Sequence, residues 1–405
     1  MTALQWWAAA LFWMGLVYCG YVYFGFFLLL ALWAKRFGRK PAVNEAHTPT
    51  VSLLISAYNE ERVIERKLQN ALAQEYPRGK LEVCLVSDGS SDHTVDIARA
   101  KERQGVRIFH YPERRGKNAA LNDAIPQTCG EILVFTDANT LYQHDAVRKL
   151  ARHFADPRVG LVVGSLNFLS DAGEPVDGGL YWRYENRLKQ YQSALRSVLV
   201  ANGSIFAVRR ELMGALDPRV ANDFQTPMEV GGRGYDLLYE PEAVALEKSA
   251  SDPREEYARK TRIVIRGMTG TVKLFKHIRG KRLFFFVSHK LLRWFVGYVQ
   301  VVLLAANALL APVHPVYAVA MAGQAVFYLC AAAGYALDGV FRRRSGRVQG
   351  FRAASQGAVK DRPAAPKVFQ VPFYFCMVNF AAAVAFLRFL SGRRVATWEK
   401  AETAR

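Results

Sequence analysis

The stretch ILVFTDANT, Ile132 to Thr140, runs four apolar side chains into a threonine and then sets Asp137 and Asn139 two positions apart. Two oxygen-bearing side chains at that spacing can approach one divalent cation when the residue between them points away. Mg2+ or Mn2+ held by one or two side chains completes its shell with water and substrate phosphates, so a diphosphate is the natural partner. Arg114-Arg115-Gly116-Lys117-Asn118 offers positive charge to the same diphosphate at the start of a short helix. It is not a Walker loop, because RRGKN lacks the first glycine and the hydroxyl residue after lysine. Two more polar clusters follow apolar runs: Ala57-Tyr58-Asn59-Glu60 and Asp88-Gly89-Ser90-Ser91-Asp92. Taken singly, such residues after a strand make turns and helix caps. Each of the three clusters carries a carboxylate with no basic neighbour, and together they point to a bound cation.

Apolar runs and helical stripes alternate between about Thr50 and Ser249. Val51 to Ser56 is a strand, followed by a helix with Ile64, Leu68 and Leu72 on one face and Glu60 and Glu61 in its first turn, where they suit the helix dipole. Glu82 to Ser87 is a second strand, Asp92 to Arg103 a second helix, Val106 to His110 a third strand and Lys117 to Ile125 a short helix. Ile132 to Thr136 is the fourth strand. Short continuous apolar strands separated by helices predict a parallel sheet covered on both faces. Ligands of such sheets bind beyond the carboxyl ends of the strands. Asn59, Glu60, Asp88, Asp137 and Asn139 then share one rim. Tyr181, Tyr184, Leu188, Tyr191, Leu195 and Val198 recur at helical spacing, and a helix packing that stripe on the sheet is expected rather than a sugar-stacking surface.

The ordered set LLISAYNEE, CLVSDGSSDHT, RRGKNAALNDAI, LVFTDANT and ANDFQTPMEV resembles the family 2 glycosyltransferases of the GT-A fold, specifically the membrane-bound ones with cytoplasmic catalytic domains. The match runs from about Thr50 to Gly267, and its specificity lies in the order of motifs that are individually weak. The resemblance implies an α/β fold with a Rossmann-like, mixed but mostly parallel sheet and helices on both faces. It implies inverting transfer of a sugar from a nucleotide diphosphate sugar, with a UDP-sugar the expected donor, to a lipid-linked or glycan acceptor. Asn59, Glu60, Asp88, Lys117, Asp137 and Arg262 would bind the nucleotide sugar, Asp88 at the base or ribose. Asp137 and Asn139 occupy the family's metal-binding Asp-x-Asp position, for Mg2+ or Mn2+. Asp223, in NDF, matches its catalytic aspartate, and Val200 to Ser204 its small-residue turn near the donor sugar. A carboxylate can serve as base because the acceptor proton leaves as the new bond forms, and a divalent ion neutralises the departing diphosphate. Read without the resemblance, Asp223 is an N-cap of the helix that FQTPMEV opens.

Two motifs depart from the family's pattern. Asn139 replaces the second aspartate and removes a charge from the metal site. The processive members carry Gln-x-x-Arg-Trp, for which the counterpart is Arg259-Lys260-Thr261-Arg262-Ile263. Arg262 remains to clamp the diphosphate, but Ile263 supplies no flat stacking surface. That weighs against a processive polysaccharide synthase and leaves transfer of one or a few sugars on at least equal footing. Two further alternatives stay open: a polyprenyl-phosphate sugar transferase, whose anionic acceptor needs no base, and a non-catalytic, nucleotide-sugar-sensing membrane subunit.

The chain of 405 residues is 51% hydrophobic and carries 54 Lys and Arg against 35 Asp and Glu. Trp6 to Ala34 contains no charge and exceeds the about 20 apolar residues that cross a bilayer. Lys35, Arg36, Arg39 and Lys40 follow it and none precedes it, which reads as an uncleaved anchor with its carboxyl end in the cytoplasm. Leu283 to Pro312 and Pro315 to Leu337 read as two spans, and Phe369 to Leu390, interrupted by Asn379 and Arg388, as a third candidate. The basic stretch Phe341 to Lys367 reads as a cytoplasmic loop. Arg393 and Arg394 then fall outside if the last segment crosses, or stay inside if it is re-entrant. The expected organisation is an anchor over residues 1–40, a cytoplasmic GT-A domain over 50–250, a basic amphipathic interfacial segment over 251–282 and a membrane region over 283–405. Nine Lys and Arg between Arg259 and Arg282 suit anionic lipid head groups. Nucleic acid is an unsuitable partner, because the basic residues are juxtamembrane and no recognition module accompanies them. Cys19, Cys84, Cys129, Cys330 and Cys376 show no metal or redox spacing and read as reduced thiols, all but Cys129 in apolar segments. The expected location is a bacterial-type inner (plasma) membrane, with membrane lipids and envelope-biosynthesis proteins as partners.

Overall fold

The computed structural model describes residues 1–169, 175–176, 179–248, 253–352 and 366–392. They form two compact units. In the larger, the described strands make one sheet in the order β3-β2-β1-β4-β8-β6-β9-β5, with β7 (Pro175–Val176) beside β6. Here β1 is Val51–Ala57, β2 Leu81–Asp88, β3 Val106–Tyr111, β4 Ile132–Asp137, β5 Leu141–Tyr142, β6 Val159–Leu169, β8 Phe206–Arg209 and β9 Asp236–Lys248. The first four run parallel, β8 reverses against β4 and β6, and β9 runs parallel to β6. The expected mixed, mostly parallel sheet is therefore present.

Strand alternation explains the two cores. Val51, Leu53, Ile55, Ile132 and Val134 pack to one side with Ile64, Leu68, Val147 and Leu150 of the helices Ile64–Leu72 and Ala146–Ala151. Leu54, Leu133 and Phe135 pack to the other with Ala120, Leu121 and Val230 of the helices Lys117–Ala124 and Asn222–Gly232. Each enclosed aliphatic side chain contributes about 1.5–3 kcal/mol, which is why β1 is buried along its whole length. The first helix after β1 begins at Ile64, so Glu60 and Glu61 precede it in a turn rather than filling its first turn. The second is shorter than expected, Thr94–Arg99 with a separate turn at Glu102–Gln104. In the helix Gly179–Ala194 the stripe divides: Leu188 is buried, whereas Tyr184 and Tyr191 meet the Phe27 ring at 5.1 and 5.6 Å.

Among the described residues, four helices are long and apolar enough to cross a membrane: Ala3–Phe37, Lys281–Leu310, Pro315–Leu337 and Lys367–Leu390. Within the smaller unit, Phe12 packs edge-on to Tyr317 at 5.3 Å, Tyr298 donates to the Ala383 carbonyl at 2.8 Å, and the hydroxyls of Tyr21 and Ser288 share a hydrogen bond of 2.7 Å. His289, enclosed, stacks on Phe26. The expected loop from Phe341 is helical through Arg352, because the helix Pro315–Arg352 continues past its apolar part. Residues 353–365 and Arg393 and Arg394 lie outside the described residues. The basic segment after 251 is the helix Pro253–Leu274, with Ile265 and Leu274 buried and Ile263 and Val272 exposed, as is Phe275 in the turn Phe275–His277 that follows. All five cysteines are free: Cys84 is buried, Cys129 is exposed, and Cys19, Cys330 and Cys376 are half-buried.

Candidate functional site

Parallel register sets Ser56 opposite Asp137 and Ala57 opposite Ser87, so the polar ends of β1, β2 and β4 leave the sheet at one rim. Asn59 adopts φ 53°, a left-handed conformation that Asn tolerates. Its N–H donates to Ser90 Oγ at 3.1 Å and its Oδ1 accepts from the Ser91 N–H at 2.8 Å. The Glu60 N–H donates to Thr94 Oγ1 at 2.7 Å. Asn59 and Glu60 thus join the loops after β1 and β2.

Asp88, buried at the end of β2, accepts from the backbone N–H groups of Arg115 at 2.8 Å and Gly116 at 2.9 Å. It holds the basic loop over the rim. Arg114 lies over the Tyr58 ring, 4.0 Å from its centre. Lys117, the first residue of its helix, donates to Asp137 Oδ1 at 2.5 Å. Asn118 donates to the carbonyls of Asp217 and Val220 at 2.8 and 2.9 Å, and so ties this loop to the one leading into Asp223.

Asp223 lies in the first turn of the helix Asn222–Gly232, whose N-cap is Ala221, so the N-cap reading of Asp223 does not hold. A Cβ on Gly203 would lie 3.3 Å from Asp223 Oδ2. The next residue, Ser204, has its Oγ 3.4 Å from Asp137 Oδ2 and 3.2 Å from Glu247 Oε2. Asn139 Nδ2 donates to Glu247 Oε1 at 3.2 Å. Burial raises the Asp223 carboxyl above its ordinary value; Lys117 and Arg266 pull it down and Asp137 pushes it up. Arg266, lowered by burial and supported by Asp223 and Asp217, donates to the Val220 carbonyl at 2.8 Å. Arg262 is half-buried on the helix Pro253–Leu274, one turn before Arg266.

Among the described residues no three His, Cys, Asp or Glu side chains are grouped to hold a metal by themselves. Asp137, Asn139, Ser204 and Glu247 nevertheless offer an all-oxygen set, which fits Mg2+ or Mn2+ sharing its shell with phosphate oxygens. The spacings of 3.4 and 3.2 Å about Ser204 Oγ lie near the roughly 3 Å between neighbouring oxygens around an ion bound at about 2.1 Å.

Three neighbours were not expected from sequence, Lys67, Glu247 and Arg266, whereas Ser204 belongs to the small-residue turn that the resemblance set near the donor sugar. Lys67 had a legible signal, standing in line with Ile64, Leu68 and Ala71 on the apolar face of its helix. Burial pushes its ammonium down to about 7 while the Asp137 charge pulls it up. Glu247 had none, because the long strand β9 that delivers it has no clear apolar alternation at its end.

Residues 52–216 match the model of glycosyl transferase family 2. Poly-beta-1,6-N-acetyl-D-glucosamine synthase of Staphylococcus aureus is 29% identical over 215 residues, covering 51% of this chain and 52% of that protein. A Bacillus subtilis protein named "Probable glycosyltransferase YdaM" is 27% identical over 237 residues, covering 54% and 55%. The chain spans about half the length of these curated relatives. A solved mannosyltransferase, PcManGT from Pyrobaculum calidifontis in complex with GDP-Man and Mn2+, superposes with a TM-score of 0.70 at 24% identity, over 95% of this chain and 100% of that one. That likeness shows the fold, which is GT-A with membrane-spanning-length helices.

Proposed function

We propose, from the match of residues 52–216 to the model of glycosyl transferase family 2, that the chain moves a sugar from a nucleotide diphosphate sugar to a lipid-linked or glycan acceptor at a membrane, with inversion in a single displacement. The observation that carries this reading is the nearness of Ser204 Oγ to Asp137 Oδ2 and of Gly203, the residue before it, to the Asp223 carboxylate, which supports a donor pocket and a base side by side.

In this reading Asn59, Glu60 and the loop held by Asp88 line the nucleotide pocket, and Lys117 and Arg266 lie close to the diphosphate. Arg262, one turn away, is a second candidate clamp. Asp137 and Asn139, with Ser204 and Glu247, would hold Mg2+ or Mn2+. Bound there, such an ion supplies Lewis-acid neutralisation of the leaving diphosphate. Asp223 takes the acceptor hydroxyl proton as the new bond forms. Its partial burial keeps the carboxylate weakly solvated and so more basic than a free one. The domain organisation and the cytoplasmic placement of the α/β domain at an inner membrane belong to the same proposal. Exposed Val272 and Phe275 among basic residues support a lipid-facing seat for the helix Pro253–Leu274 and the turn after it.

The test is release of nucleotide diphosphate by the membrane-embedded chain from a panel of UDP- and GDP-sugars, with and without Mn2+ or Mg2+. Turnover lost with Asp223→Asn and with Asp137→Asn supports the reading. Turnover surviving only Asp223→Asn favours a polyprenyl-phosphate acceptor, and donor binding without turnover favours a sensor subunit. Processive synthesis is a second reading, favoured by the polymer named in the Staphylococcus aureus relative and opposed by Ile263 in the place of the stacking tryptophan. Long polymer made by the purified chain would establish it.

A further inference from the structure

Lys67 is wholly enclosed on the apolar face of the helix Ile64–Leu72. Its ammonium donates to Thr136 Oγ1 at 2.9 Å and to the Thr140 carbonyl at 2.5 Å, and lies 4.4 Å from the centre of the Tyr142 ring. These partners are all neutral. Enclosing an ammonium among neutral partners costs several kcal/mol of solvation, and an apolar side chain of equal length would fill the space without that cost. Stability alone therefore gives no reason for lysine here. The position of its partners does: Thr136 and Thr140 bracket the segment that carries Asp137 and Asn139. The Asp137 charge also acts on this ammonium through the protein.

We propose that Lys67 is a positioning residue for the donor diphosphate, gripping both ends of the Thr136–Thr140 segment so that Asp137 and Asn139 meet the cation and its diphosphate in one preset geometry. The inference rests on the donor reading above. A turn that must be ordered on binding loses affinity to that ordering, and the grip from below removes this loss while leaving both side chains facing the rim.

Calorimetric titration of the full chain in lipid nanodiscs with UDP and with GDP, at saturating Mn2+, reads this without turnover. Lys67→Met, similar in length and apolar, is expected to weaken binding of whichever nucleotide the wild type takes by about tenfold, the size of one charge-assisted hydrogen bond. Its thermal midpoint is expected to stay at or above that of the wild type. Unchanged affinity overturns the proposal, and so does a loss of affinity that comes with a lowered midpoint, the mark of a structural lysine. Thr136→Val removes one acceptor and keeps the charge; about a threefold loss of affinity at an unchanged midpoint supports the proposal, and no loss overturns it. In an Asp137→Asn background Lys67→Met is expected to change affinity by less than about twofold, because a residue acting through Asp137 is coupled to it. A further full tenfold loss there overturns the proposal. A wild-type chain that binds neither nucleotide defeats the donor reading itself, a result distinguishable from all of these.

Discussion

At the scale of single residues, the two carboxylates carry opposite demands. Asp223 must be ionised to take a proton, yet burial raises its carboxyl above the ordinary 3.8. A carboxyl raised in the folded chain favours its protonated form. The stability it contributes is present below the ordinary value and is lost as pH rises through the raised one. Asp223→Asn removes that cost at neutral pH, so its thermal midpoint should equal or exceed that of the wild type while turnover falls about 10²–10⁴-fold. In the wild type, the acid limb of kcat/KM against pH should lie above 3.8; a limb at or below that value would remove Asp223 as the base. Asp137 poses a different problem, because Asn139 withholds the second charge expected beside it. Glu247, reached through Ser204 and Asn139, brings that charge back from β9. Glu247→Gln should raise the Mn2+ concentration for half-saturation about tenfold, and Asn139→Asp should lower it. Mn2+ binding followed by electron paramagnetic resonance in the presence of UDP or GDP separates this from any effect on turnover.

The elements explain why the rim was legible and its far side was not. β1, β2 and β4 are continuous apolar runs ending in polar clusters, and their parallel register alone brings Asn59, Asp88 and Asp137 together. Lys117 was legible as well, since the loop before it must face the same rim. Ser204 was legible only through the resemblance, and Glu247 arrives on β9, whose place depends on a pairing with β6 at a sequence separation that no local pattern encodes. Lys67 was hidden for another reason, because a lysine in a helix is ordinarily a surface residue and only its apolar neighbours mark it as buried. The contact between β2 and the basic loop is the element most exposed to test. Gly89 sits at φ 70°, and a Cβ there would come within 2.5 Å of the Arg114 backbone nitrogen. Gly89→Ala must push the loop from Asp88, at a cost of about 1–3 kcal/mol. Calorimetry should show nucleotide affinity reduced about tenfold, with the far-ultraviolet circular dichroism of the sheet unchanged; undiminished affinity would mean that this loop does not form the pocket.

Across the whole molecule, the excess of 19 positive charges is a statement about sidedness. Lys35 and Arg36 close the helix Ala3–Phe37, Lys281 opens the helix Lys281–Leu310, and the helix Pro315–Arg352 runs past its apolar part into Arg342, Arg343, Arg344, Arg347 and Arg352. If the first three helices each cross, all three basic ends fall on one face of the bilayer. Positive ends are retained in the cytoplasm, and residues 38–280 follow directly from the first of them. The α/β domain should therefore face the cytoplasm, where nucleotide sugars are made. Cys129 provides a native reporter, because it is exposed in that domain while Cys84 is buried. A membrane-impermeant maleimide should label Cys129 in inverted membrane vesicles and leave it unlabelled in sealed cells, with Cys129→Ser abolishing the difference. Labelling in sealed cells would place the domain outside, and a donor confined to the cytoplasm could then never reach Asp137.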